Sequence, residues 1–186
     1  MKYNTIEVKS EMLNAGFSIY LLEIERENSE KLFYIGMTGD NYYPRARGAF
    51  YRIAGHLESN SKSTQNQLHK ALTMRGIVNK KTGVFKKDLK IKMHHFAIEG
   101  FNPWSYTKIL NKKFMQRLKN REDKNYGEYE DYKKGYLKIR ELESALIFTF
   151  SNDERLINKD IKKDATCEHN DYDEITKKIG SIMKID

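Results

Sequence analysis

The sequence predicts a small α/β protein of the α+β sandwich kind, with a mostly antiparallel sheet of about three strands flanked by helices. Two observations carry this expectation. Short runs rich in β-branched and aromatic residues lie near the N-terminus and again in mid-chain. The stretches around them repeat apolar residues every three to four positions, as helices do.

Phe17 to Ile24 (FSIYLLEI) reads as the first strand, and Leu32 to Met37 (LFYIGM) as the second. The short polar segment between them, Glu25 to Lys31, makes an antiparallel hairpin the simplest pairing. Gly39 and Asp40 break the pattern, and Pro44 suits the first position of a helix. From about Arg45 to Leu57, Ala49, Ile53 and Leu57 recur every fourth residue. A Ser/Asn-rich linker at 59–63 leads to a second helix from Thr64, with Leu68, Ala71, Leu72 and Met74, which Gly76 stops. Leu89 to Ile98 alternates as a third strand. Pro103 opens a helix that runs through Trp104, Ile109, Leu110, Phe114 and Leu118. Asn120 to Tyr132 is polar and charged and is expected to be a mobile excursion. Leu137 to Phe150 carries Leu142, Leu146 and Phe150 on one stripe, and Tyr172 to Met183 reads as a short terminal helix.

The 186 residues suffice for one domain with a decorated edge. The lone cysteine, Cys167, excludes an intramolecular disulfide and a cysteine-rich zinc site. The longest strongly apolar run, Ala145 to Phe150, falls far short of the roughly 18 residues of a membrane span. MKYNTIEVKS has no apolar core of a secretory signal, so a cytoplasmic protein is expected. Charge is unevenly placed within the formal total of +8. Residues 1–60 carry 7 basic and 8 acidic side chains, residues 61–140 carry 20 and 7, and residues 141–186 carry 7 and 11. The basic middle is interleaved with Trp104, Tyr106, Phe114, Tyr126, Tyr129, Tyr132 and Tyr136. Cations release phosphate counterions and rings stack on bases, so this segment suits a polyanion.

Within this frame several residues carry chemistry. Tyr20 and Tyr34 occupy neighbouring strands, and Ile35-Gly36 leads into a loop where a bare backbone can approach a phosphate. Arg52 and His56 are four apart, so both project within about 40° on one helical face. They combine a permanent phosphate fork with a titratable base. Glu141 and Glu143 diverge by about 200°, and only Glu143 adjoins the apolar stripe of Leu142, Leu146 and Ile147. A carboxylate there needs a partner, for which a hard divalent cation is suited. Leu156-Ile157-Asn158 adds an amide after a short apolar pair. His94 and His95 are adjacent in a strand and point to opposite faces, so they cannot share a metal. Cys167-Glu168-His169 lacks a second zinc pair and reads as a solvated loop.

These residues resemble the motifs of the GIY-YIG endonucleases. Ser18-Ile19-Tyr20 resembles the first motif with serine in place of glycine, and Tyr34-Ile35-Gly36 matches the second letter for letter. Arg52 and His56 correspond to the first-helix arginine and histidine of restriction and phage homing members. Gln67-Leu68 through Gly76 is similar to the second-helix region of phage homing relatives. Glu143-Ser144-Ala145-Leu146-Ile147 corresponds to the metal-binding glutamate helix, and Asn158 to a late asparagine. The interval from Met37 to Tyr51 is longer than usual, so Arg45 and Arg47 rival Arg52.

The resemblance implies a nuclease domain over 1–160 with an inserted basic segment at about 99–138, followed by an acidic helical tail at 161–186. It implies a DNA endonuclease using one Mg²⁺ or Mn²⁺ per site. Glu143 would hold the metal and Arg52 would stabilise the transition state. Tyr34, assisted by His56, would take a proton from water, and Tyr20 would orient water or phosphate. Tyr20, Tyr34, Arg52, His56, Glu143 and Asn158 form the expected catalytic set. Gly36, Arg45, Arg47, Lys86, Lys87, Lys112 and Lys113 form the expected contacts to double-stranded DNA. A homodimer follows if the cut is double-stranded, and no membrane partner is expected. A structure-specific repair or recombination nickase, or an inactive DNA-binding module, are the alternatives.

Overall fold

The computed structural model describes residues 6–40, 46–58, 66–99, 112–158 and 167–184. Strands β1 (Ser18–Glu25), β2 (Leu32–Met37) and β3 (Lys90–Ala97) form one antiparallel sheet in the order β2-β1-β3. Among the described residues six helices accompany it: α1 (Ser10–Leu13), α2 (Ala49–Leu57), α3 (Gln67–Met74), α4 (Lys112–Lys119), α5 (Tyr126–Thr149) and α6 (Tyr172–Met183). The architecture is α+β, and none of these helices is long and apolar enough to cross a membrane.

Register decides which side chains share a face. Tyr20 lies opposite Gly36 and His95, Leu22 opposite Tyr34 and Met93, and Leu21 opposite Ile35 and His94. The face bearing Tyr20, Leu22, Ile24 and Tyr34 packs against Ile53 and Leu57 of α2 and Leu68 and Leu72 of α3. The other face bears Ile19, Leu21, Phe33, Ile35 and Met37, and packs against Ile139, Leu142 and Leu146 of α5 and Ile175 and Ile179 of α6. The sheet therefore divides two apolar cores, and its tyrosines lie in the one beneath α2 and α3.

The outer edge of β2 is closed by the chain that follows α5. Phe33 N–H donates to the Arg155 carbonyl and Ile157 N–H to the Phe33 carbonyl, both at 2.9 Å. This short parallel bridge removes an exposed strand edge.

Three elements differ from the sequence reading. Helix α2 begins at Ala49 rather than near Arg45, while Pro44 and Arg45 lie outside the described residues. The helix expected from Pro103 is described only from Lys112. The polar excursion expected at 120–132 is, from Tyr126 onward, the first part of the 24-residue α5. Its buried stripe is Tyr129, Tyr132, Gly135, Ile139, Leu142 and Leu146, so tyrosines do the work of aliphatic residues there. The Tyr132 hydroxyl accepts from the Asp40 N–H at 3.0 Å, which lets a polar residue bury its ring. Met115 and Leu118 of α4 pack on Tyr129. The described part of the basic segment thus runs without a break into the glutamate helix.

The C-terminal segment is also built into the core. Ile175, Ile179 and Met183 of α6 are buried with α5 and the sheet, and Arg155 Nη2 donates to the Met183 carbonyl at 2.9 Å. Cys167 packs partly buried against the same core instead of standing in a solvated loop.

Candidate active site

The centre of the site is a tyrosine lying across a glycine. Tyr20 is 0% exposed, and a Cβ at Gly36 would sit 2.4 Å from its ring carbon and hydroxyl. The glycine is needed because the Tyr20 phenol occupies the space a side chain would take. The Tyr20 ring thus gives Gly36 a packing role in addition to the backbone approach expected of it. Ser18, at the start of β1, also has a partner: its Oγ lies 3.3 Å from Thr38 Oγ1, and Ser18 N–H donates to the same oxygen at 2.8 Å.

Helix α2 brings the next two groups. Ile53 and Leu57 anchor it to the sheet, which turns the Arg52 and His56 stripe toward the tyrosines. His56 is 3% exposed, and its Nε2 lies 2.8 Å from the Tyr20 hydroxyl. The Tyr34 ring meets the His56 ring edge-on at 5.5 Å between centroids. Arg52 is near enough to the Tyr20 hydroxyl for its charge to oppose the rise of that phenol's pKa. Arg52 Nε is buried and has no hydrogen-bond partner among the described residues.

Glu143 reaches the same place from the other core. Helix α5 passes along β2, and one turn of it presents Glu143 and Ile147 to the cleft that Tyr34 lines. The carboxylate accepts from the backbone of Met37 and makes no ion pair with another described residue. Loss of water pushes its carboxyl up to about 7, against the opposing pull of Arg52, the Met37 N–H and Arg140. Glu141 is exposed on another face of the helix. Burial, then Tyr34, raises the Tyr20 phenol well above its ordinary value, with Arg52 opposing. Burial, then Glu143, raises Tyr34 likewise. Both phenols therefore carry their protons at neutral pH.

The cleft has a volume of about 1190 Å³ and runs from Tyr34, Glu143 and Asn158 along α3 to the turn at 79–83. Tyr34, 8% exposed, lines it, whereas Tyr20 lies behind. Asn158 lines it too, but its amide is engaged on both sides: Ile35 N–H donates to Oδ1 at 2.8 Å, and Nδ2 donates to the Ile35 carbonyl at 2.6 Å. Its observed work is to hold the backbone beside Tyr34 and Gly36.

The five residues Tyr20, Tyr34, Arg52, His56 and Glu143 are thus gathered in one place, but only Tyr34 and Glu143 line the cleft, with Tyr20, Arg52 and His56 outside its lining. Arg47 is exposed just before α2, and Arg45 lies outside the described residues. Lys86 and Lys87 are exposed between α3 and β3, Lys112 and Lys113 are exposed on α4, and none of the four lines the cleft. The cations that do line it are Lys70, Arg75, Lys80 and Lys81, with the buried His69 among them. Sequence reasoning passed over these. Lys80-Lys81 looks no different from Lys86-Lys87 along the chain, and His69 sits unremarked beside the apolar Leu68.

Among the described residues no three His, Cys, Asp or Glu side chains stand close enough to hold a metal by themselves. A single half-buried carboxylate opening on a cleft still fits Mg²⁺ or Mn²⁺, since such ions commonly keep waters and take one or two carboxylates plus substrate phosphate. Compared with family models, curated proteins and solved structures, the chain has no match.

Proposed function

We propose that this protein is a divalent-metal-dependent DNA endonuclease of the GIY-YIG kind, hydrolysing phosphodiester bonds as a restriction-type or phage-related enzyme. One observation carries the reading. Residues from three distant parts of the chain converge beside a cleft lined by Tyr34 and Glu143, where that carboxylate has no ion-pair partner among the described residues and the nearby Arg52 Nε, outside the lining, is buried without a hydrogen-bond acceptor among them.

Glu143 would hold one Mg²⁺ or Mn²⁺, which when bound supplies charge neutralisation at the scissile phosphate. Arg52 would donate to the phosphoryl oxygens, where charge grows in the transition state. Tyr34 is the tyrosine that reaches the cleft, so it is the one able to touch the attacking water. Its raised pKa makes it a poor base alone, and Arg52 is the cation of this chain that opposes the rise. His56 is joined to Tyr20 rather than to the cleft, so the Tyr20–His56 pair would fix Arg52 and the position of Tyr34 from behind. Asn158 would act by positioning the Ile35–Gly36 backbone. Lys86, Lys87, Lys112, Lys113 and Arg47 would add phosphate contacts outside the cleft.

The test is incubation of supercoiled plasmid with the protein in Mg²⁺, in Mn²⁺ and in EDTA. Linear or nicked DNA in the metal lanes alone supports the reading, and nicked circles without linear product would favour a nickase. Binding without cutting under every metal would leave only a DNA-binding module.

A further inference from the structure

We infer that the α3 wall of the cleft is a track for the phosphate backbone of one nucleic-acid strand leaving the Glu143 centre, with His69 donating a hydrogen bond to a phosphate on it. This rests on the endonuclease reading and extends it to residues outside the catalytic set.

Size is the first reason. At about 1190 Å³ the cleft exceeds the roughly 300–1,000 Å³ usual for small-molecule pockets. An open channel of that size suits a polymer passing through better than an enclosed small ligand.

Charge is the second. Lys70, Arg75, Lys80 and Lys81 line the channel, and Glu143 at its end is its one carboxylate among the described residues. The two turn lysines are held in place by their loop. Asn79 Oδ1 accepts from the Lys81 and Thr82 N–H groups at 2.9 and 3.1 Å, and Gly83 N–H donates to the Asn79 carbonyl at 2.8 Å. The Gly83 φ of +67° closes this turn at no steric cost.

His69 is the third and most specific. It lines the channel, is 8% exposed, and its Nε2 finds no hydrogen-bond partner among the described residues. Phe85 packs edge-on against the ring at 5.5 Å and 83°. An unmade hydrogen bond in a buried ring is costly, and a small rotation of the ring that brings Nε2–H, closed to solvent as the ring stands, to a phosphate oxygen in the channel removes that cost.

Binding is measured by fluorescence anisotropy of a labelled oligonucleotide duplex with the full chain, in EDTA, over a range of salt. Two charge-matched pairs are compared: Lys80→Ala with Lys81→Ala in the channel, and Lys177→Ala with Lys178→Ala, exposed on α6 beyond the other face of the sheet. The channel pair should flatten the slope of log K against log salt by up to about 1.8, each phosphate contributing about 0.9, and the α6 pair should not change it. His69→Ala should weaken binding about five- to tenfold, the loss of one buried hydrogen bond. His69→Gln, which keeps a donor, should recover part of that loss, and thermal melting checks that both variants fold. Equal slopes for the two pairs, or competition by polyglutamate as effective as by unlabelled DNA, would overturn the track, as would failure to bind the oligonucleotide. Because EDTA removes cleavage from the readout, a protein that binds along the channel and never cuts sinks the nuclease reading alone. One that cuts with equal slopes sinks the track alone.

Discussion

Glu23 and Glu143 are the same side chain in opposite circumstances at the two ends of the sheet. Glu23, near the end of β1, is buried, and burial pushes its carboxyl up. Hydrogen bonds from Lys31 and His94 together outweigh that push and bring it down to about 2. Glu143, beside the end of β2, meets the same desolvation with only a backbone N–H and the more distant Arg52 and Arg140 to oppose it, and stays near 7. A carboxylate satisfied by its own chain serves the fold. One left short of partners at the mouth of a cleft is a candidate for binding something the chain does not supply.

The comparison breaks or holds first at Glu143. Glu143→Gln should reduce metal-dependent cleavage to background while raising the stability of the metal-free protein at pH 8. The sign follows from the raised pKa. A carboxyl at about 7 folded and near 4.5 unfolded supports folding below pH 4.5, and that support is lost as pH rises through 7. Removing the charge relieves up to about 3 kcal/mol, read by denaturant unfolding. Glu23→Gln should do the reverse, losing stability and leaving the turnover of folded protein unchanged. A destabilised Glu143→Gln protein would end the contrast.

Arg52→Ala should slow single-turnover cleavage by about 10²–10³-fold with a smaller loss of DNA affinity, as for a donor whose contact strengthens in the transition state. Arg47→Ala should act mainly on affinity, and the opposite assignment of the two effects would place the phosphate fork elsewhere. Gly36→Ala drives a methyl group into the Tyr20 phenol. It should cost about 1–3 kcal/mol in thermal unfolding and take the cleavage rate down with it, since Tyr20 carries the hydrogen bond to His56. A fully active, fully stable Gly36→Ala would mean the tyrosine can move at no cost.

Acid should expose the other half of the comparison. The lowered pKa of Glu23 contributes stability above pH 4.5 that disappears as pH falls toward 2. Because Lys31 is half exposed, solvent screening holds the contribution to about 1–2 kcal/mol. His94→Ala should shrink this acid-sensitive component in pH-dependent melts. The smallest effect on chemistry is expected at Lys112 and Lys113, far along the chain from both glutamates. Replacing both by alanine should flatten the salt slope by up to about two units and leave the cleavage rate of bound DNA unchanged.

Much of the molecule is legible in its sequence because the relevant physics is local. Alternation and turn residues are enough to place the β1–β2 hairpin, which puts Tyr20 and Tyr34 on adjacent strands. The 100° step of a helix is enough to pair Arg52 with His56 and to separate Glu143 from Glu141. Contacts between elements are not local, and there the sequence is silent. Only the register shows that Tyr20 lies over Gly36, and only the packing of α2 sets His56 to hydrogen-bond Tyr20 while its ring meets that of Tyr34. The early half of α5 was hidden because its buried stripe is written in tyrosine, whose hydroxyl reads as polar until a partner such as Asp40 is found for it. Asn158 clamps Ile35 from 123 residues away, and the lysines of the cleft differ from their neighbours only in what faces them across it. Short-range periodicity determined the elements and the side each residue takes. The partners across gaps were decided by tertiary packing, because a hydrogen bond or a missing Cβ has meaning only once the opposing atom is in place.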